Sequence, residues 1–215
     1  MVKAFKEALT QVEPILFKEP LAGTLGALTS EDNVIEYTFI DTVKMAGHAC
    51  PTVAAAYLCC QLALERLYPD AVPVRGEVAV TVHGEPDEGV FGVMGQVFSF
   101  LTGAAPHSGF RGLGHKFRRK DLLRFEPGGS EPGAICFEFE RSDTHEAVLV
   151  TYRPGLVPVP AGGERMARLL EKVVWDAARD EERKEFQDLW MERVQLMVAE
   201  RRDIDQWITI ETRRI

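Results

Sequence analysis

Apolar residues recur at helical spacing from the first residues of the chain. Val2, Phe5, Leu9 and Val12 share one face and Pro14 ends the pattern, which predicts an N-terminal amphipathic helix packed as an arm. After the loop around Gly23-Thr24-Leu25-Gly26, the β-branched and aromatic run Val34-Ile35-Glu36-Tyr37-Thr38-Phe39-Ile40 reads as a strand. Next comes an unbroken apolar segment, Val53 to Cys60, in a helix that starts at Pro51 or Thr52 and runs to about Tyr68, where Pro69-Asp70 stops it. Glu77 to His83 alternates with period two, so its valines share one face, and Thr81 and His83 the other. Phe91 to Leu101 suits a second buried helix. Gly92 and Gly95 each cost it about 1 kcal/mol relative to alanine, which is reasonable if they allow close packing.

Ile135 to Glu140 and Ala147 to Tyr152, with polar residues clustered between them, predict an antiparallel strand pair. The Pro-rich link from Pro154 to Pro160 separates this body from a helical C-terminal part. There Met166, Leu169, Leu170, Val173, Val174 and Ala177 trace one stripe, and Phe186, Leu189, Trp190, Val194 and Met197 a second, predicting a helical hairpin. Trp207 to Ile210 suits a short final strand. The expected fold class is α+β, with a mixed or antiparallel sheet packed against a buried helix and a C-terminal helical hairpin. The divisions read as 1–33 (helix and arm), 34–155 (α+β domain) and 156–215 (helical extension).

An apolar content of 46% over 215 residues supports a full core. No signal peptide is evident, and no apolar run reaches the ~20 residues of a membrane span. The expectation is a cytoplasmic protein without membrane attachment, in which the four cysteines are free thiols or ligands and not a disulfide framework. A net charge of −8 argues against nucleic-acid binding, which rests on neutralising phosphates with Lys and Arg. Charge is uneven, however: Arg111, Lys116, Arg118, Arg119, Lys120 and Arg124 cluster against the single acid Asp121. With Gly103, Gly109, Gly112 and Gly114, this stretch reads first as a tight chain crossing followed by a solvated strand face. It also leaves room for an anionic small molecule or an acidic partner.

The most informative stretch is Gly47-His48-Ala49-Cys50-Pro51-Thr52. It places an imidazole and a thiol at the mouth of the apolar helix, with Cys50 at or beside the N-cap. Aligned N–H groups there favour thiolate over thiol, so Cys50 suits metal ligation or nucleophilic chemistry. Imidazole nitrogen and thiolate sulfur are zinc donors. His83 at the strand end is the best third ligand, and Glu85, Asp87, His107 and His115 are further candidates. The alternative is that His48 and Cys50 merely pack beside a helix start. Cys59 lies about 13 Å along the helix from Cys50, and Cys59 and Cys60 read as small core residues.

Gly47-His48-Ala49-Cys50-Pro51 before an apolar helix resembles the opening motif of the formylmethanofuran dehydrogenase E-subunit family. The resemblance continues through Val78 to Val82, Leu101-Thr102-Gly103 and Gly112-Leu113-Gly114-His115-Lys116, covering roughly residues 34 to 125. It implies a dimeric α+β domain whose motif histidine and cysteine face a metal-lined pocket, usually with zinc. It also implies an association with molybdenum or tungsten enzyme operons. For most members the activity is undefined.

The chain departs from that pattern in three places. Thr52 stands where glycine is common. His83-Gly84-Glu85-Pro86-Asp87 occupies the neighbourhood of a missing cysteine, so His83 or Glu85 would replace a sulfur donor. No C-x-x-C pair follows Cys136, so the C-terminal zinc ribbon of some members is absent. The resulting expectation is a homodimeric protein that binds zinc or another divalent transition metal, with His48, Cys50 and His83 as ligands and an enzymatic or accessory role. Two other classes stand beside it. One is a metal-independent enzyme with Cys50 as its catalytic thiolate and His48 or His83 as base. The other is an interaction module in which the hairpin docks a partner through an exposed Trp175, Trp190 or Trp207.

Overall fold

A computed structural model describes residues 7, 9–29 and 33–213. Val2 and Phe5 of the expected N-terminal helix lie outside the described residues, while Leu9 and Val12 are buried in the core. The element order is β1 (Ile15–Lys18), α1 (Pro20–Thr24), β2 (Val34–Tyr37), α2 (Phe39–Ala46), α3 (Pro51–Leu67), β3 (Val78–Val82) and α4 (Phe91–Thr102). There follow β4 (Gly112–Leu113), β5 (Phe117–Arg118), β6 (Leu123–Phe125), β7 (Ile135–Arg141), β8 (Ala147–Tyr152), α5 (Gly163–Val174), α6 (Asp180–Val198), α7 (Ile204–Trp207) and β9 (Ile208–Arg213).

The fold is α+β. Its main sheet has five strands in the order β6-β3-β7-β8-β9. β6 runs parallel to β3 and the other neighbours are antiparallel, so the sheet is mixed. β9, from the C-terminal end of the chain, pairs along all of β8 and forms one edge. β1 and β2 make a separate antiparallel ladder.

α3 is central because its sequence has no polar face over most of its length. Val53 through Cys60 are all fully buried, and the helix packs against α4, α6, β8 and β9. Val78, Val80 and Val82 of β3 are likewise fully buried, as strict alternation on a half-covered sheet requires. Phe98 of α4 sits edge-on to Phe137 and Phe139 of β7, with ring centroids 4.8 and 5.1 Å apart. Gly95 admits Phe125 against α4: an added Cβ would come within 2.7 Å of that ring.

One expected strand ends early. The run from Val34 is a strand only to Tyr37, and Phe39 and Ile40 open α2. A capping box decides it: the Asp41 N–H donates to Thr38 Oγ1 at 3.2 Å, and the Thr38 N–H donates to Asp41 Oδ2 at 3.1 Å. The C-terminal hairpin of α5 and α6 forms as expected, but its first stripe is wider than what it buries. Met166 and Leu169 face inward, whereas Leu170 and Val174 are exposed. Among the described residues, no helix is long and apolar enough to cross a membrane.

Candidate functional site

The His48–Cys50 loop is a connector between two helices. α2 ends on Gly47 at φ 77°, a left-handed cap that favours glycine and turns the chain sharply. Cys50 is then extended (φ −149°, ψ 165°) and caps α3, with Pro51 in the first turn. Its Sγ accepts the Val53 N–H at 3.4 Å, and the residue is 8% exposed. The helix start and the cysteine cap therefore arise together, as the sequence indicates.

His48 is exposed on the same loop, and its Nδ1 lies 3.0 Å from the Ala46 carbonyl oxygen. A carbonyl only accepts, so Nδ1 carries a hydrogen and Nε2 is the nitrogen left for another partner. This is the arrangement in which a ligating histidine is usually held, its second nitrogen fixed by a backbone carbonyl.

α6 covers this loop from the other side. Trp190 Nε1 donates to the Ala49 carbonyl at 2.9 Å. Arg193 stands three residues on, on the same helix face, and its Nε is buried without a partner among the described residues. Tyr152 of β8 is close enough to feel Cys59, Arg193 and Cys50 electrostatically. Burial pushes its phenol well up, Cys59 adds to the rise, Arg193 opposes it and Cys50 adds a smaller push. Nothing in the spacing of the chain signals that Arg193 and Tyr152 lie within electrostatic reach of each other, because they are contributed by distant elements.

His83 follows β3, and its backbone N–H donates to the Cys136 carbonyl at 3.0 Å. Its imidazole packs beside Gly129, whose added Cβ would sit 3.5 Å from Nδ1. Nε2 is buried with no hydrogen-bond partner among the described residues, as is Ser130 Oγ on the covering segment. Glu85, Asp87 and His115 are exposed. Among the described residues, no three His, Cys, Asp or Glu side chains converge closely enough to hold a metal ion as they stand. His48 and Cys50 supply two donors that fit a transition metal in type and share one loop. His83 supplies a third suitable atom, but the structure does not bring it to the other two.

No protein-family model and no curated protein matches the chain.

The basic stretch does not act as one patch. Arg119 is only 3% exposed and donates from Nη2 to Glu19 Oε1 at 2.7 Å. Arg75 donates to the other oxygen of the same carboxylate at 3.0 Å and to the carbonyls of Leu101 and Phe100. Burial lowers the Arg119 pKa, Glu19 opposes that and Arg75 reinforces it. Gly76 (φ 87°) and Gly103 (φ 73°) let this guanidinium through, since an added Cβ on either would overlap it. Arg119 therefore anchors the 103–124 loop internally, whereas Arg118, Lys120 and Arg124 gather around Asp121 at the surface.

Among the other candidates, Cys59 and Cys60 are fully buried core residues, and burial drives both thiols well above their usual range. Of the three tryptophans, Trp207 is fully buried, Trp190 is half-buried and Trp175 is 78% exposed.

Proposed function

We propose that this chain is a metal-binding protein of the kind found in the formylmethanofuran dehydrogenase E-subunit family, carrying zinc or another divalent transition metal. His48 and Cys50 are its core ligands, and His83 is the third once the segment covering it yields. The observation that carries the reading is the pair on one loop: a cysteine capping α3 and a histidine whose Nδ1 is fixed on the Ala46 carbonyl with Nε2 left free. The orphaned Nε2 of His83 supports the third assignment, because a buried imidazole nitrogen without a partner is costly unless it has a further role.

Such an ion would act as a Lewis acid and lower the pKa of a bound water if one coordination position stays open. The protein's own residues hold the loop. Gly47 turns it, Ala46 sets the His48 tautomer, and Trp190 clamps Ala49 from α6. In this reading the protein works as a homodimer, either as an enzyme or as an accessory to a molybdenum or tungsten enzyme system.

Cobalt(II) titration of metal-free protein tests it. A thiolate-to-cobalt absorption band that is lost in Cys50→Ser and weakened in His48→Ala supports the reading. Cobalt uptake unchanged by both variants refutes it.

One observation favours a second reading. Leu170 and Val174 on α5 and Trp175 at its C-terminal end leave apolar surface exposed, which suits a partner-docking hairpin. For a metal-independent thiolate enzyme the geometry offers less, because among the described residues neither His48 nor His83 is hydrogen-bonded to Cys50 Sγ, whose partner is the Val53 N–H.

A further inference from the structure

Between α4 and the edge strand β6 lies an open cleft of about 750 Å3, within the range of small-molecule sites and separate from the loop that carries His48 and Cys50. One wall is the face of α4 bearing Gly92, Gln96 and Ser99. These positions are spaced i, i+4 and i+7 and so lie together, opposite the buried Met94, Val97 and Phe98. The other wall is Leu123, Arg124 and Phe125 of β6. The cleft thus has apolar carbon on one side and neutral hydrogen-bonding groups on the other.

Its polar rim, His107, Asp121 and Arg124, is organised by one residue. Asp121 adopts φ 66°, in the left-handed region that non-glycine residues rarely occupy. In that conformation its carboxylate takes His107 Nδ1 at 3.0 Å and Arg118 Nη2 at 3.1 Å, while its backbone carbonyl takes Arg124 Nε at 3.1 Å. His107 Nε2 in turn lies 3.5 Å from Lys120 Nζ. Asp121 therefore positions Arg118 through its carboxylate and Arg124 through its backbone carbonyl. The two terminal nitrogens of Arg124 have no partner among the described residues, so a planar pair of donors stands at the cleft wall. Guanidinium in that state is matched to carboxylate or phosphate oxygens.

We infer that this cleft binds a small organic anion, with its carboxylate or phosphate group on Arg124 and its apolar body between Leu123, Phe125 and Gly92. The buried Arg119–Glu19 contact fixes the base of the loop that carries this rim, so the site is present before ligand arrives.

Isothermal titration of the full chain with phenyl phosphate and with benzoate, beside neutral benzyl alcohol and inorganic phosphate, tests the inference. Arg124→Ala is compared with Arg111→Ala, an exposed cation that does not line the cleft. Binding of one organic anion is expected, with no binding of benzyl alcohol. Its affinity should fall about tenfold or more in Arg124→Ala, the loss of one charge-assisted hydrogen bond, and stay unchanged in Arg111→Ala. A stronger response to phenyl phosphate names a phosphate monoester as the ligand class, and one to benzoate names a carboxylate. Three results would overturn the inference: no binding of either anion, equal weakening by Arg111→Ala, or inorganic phosphate binding as tightly as phenyl phosphate. A variant that melts at the wild-type temperature has kept its fold, so a lost signal reports the site.

Discussion

Replacing Glu19 by glutamine should be among the most damaging single-atom changes this protein can undergo. Glu19 is 5% exposed, and its two oxygens accept from Arg119 Nη2 and Arg75 Nη1, with the Leu21 N–H also donating to Oε1. The substitution keeps the shape but removes the one carboxylate shared by two guanidiniums. Arg119, 3% exposed and already lacking a partner for Nη1, would be left as an uncompensated buried cation. Removing one member of a buried ion pair costs about 3–5 kcal/mol. For a domain of this size, about 2–4 °C is lost per kcal/mol, which gives a fall in melting temperature of roughly 6–20 °C.

Urea denaturation followed by tryptophan fluorescence and far-ultraviolet circular dichroism measures the change. Asp188→Asn serves as the control, because Asp188 pairs with Lys184 at 2.8 Å on an exposed face, where such pairs contribute about 0.3–0.5 kcal/mol. In a double-mutant cycle with Arg119→Met, the two losses should be strongly sub-additive, since each removes the partner the other leaves behind. If Glu19→Gln costs no more than Asp188→Asn, the cluster is not holding the loop and the reasoning fails.

Other consequences concern the hairpin and the thiols. Glu182, buried between α5 and α6, is held at about 2, first by Lys172 Nζ and then by the Arg179 backbone N–H. A carboxyl whose folded pKa lies below its unfolded value of 4.5 contributes stability that is complete above that value and lost as pH falls towards about 2. Acid unfolding of Glu182→Gln should therefore be flatter over that window than that of the parent, and parallel curves would remove Glu182 from the account. Trp190→Phe removes the donor to the Ala49 carbonyl; it should cost about 1 kcal/mol and speed labelling of Cys50 by a thiol reagent severalfold, while an unchanged rate would mean that α6 does not guard the loop. Cys59 and Cys60, fully buried with thiols pushed up by burial, should stay unlabelled at pH 8 until the protein unfolds, a difference that peptide mass mapping reads directly.

Where local chemistry decides the structure, the sequence is a good guide. Pro51 ahead of a long apolar run marks the start of α3 and puts Cys50 at its cap, and the valines of β3 declare their buried face by alternation. Phe39 and Ile40 mislead because their types favour strand, whereas Thr38 and Asp41, three apart, carry the stronger signal of a helix start. β1 is too short, at four residues, to declare itself beside Pro14. Long-range pairing leaves no local trace. Arg119 sits in a run of surface cations by sequence, yet its partner is Glu19, 100 positions away. The same limit applies to the candidate centre. His48 and Cys50 are close together on one loop and so legible, while the approach of Tyr152 and Arg193, and the separate placing of His83, depend on how distant elements pack.

The most direct test of the central claim is the metal content of untagged, freshly purified protein by elemental mass spectrometry, measured beside the His48→Ala, Cys50→Ala double variant. The account predicts a stoichiometric divalent metal in the parent that disappears in a variant whose circular dichroism spectrum is unchanged. A parent without metal, or a folded double variant that keeps it, would contradict the assignment of His48 and Cys50 as ligands.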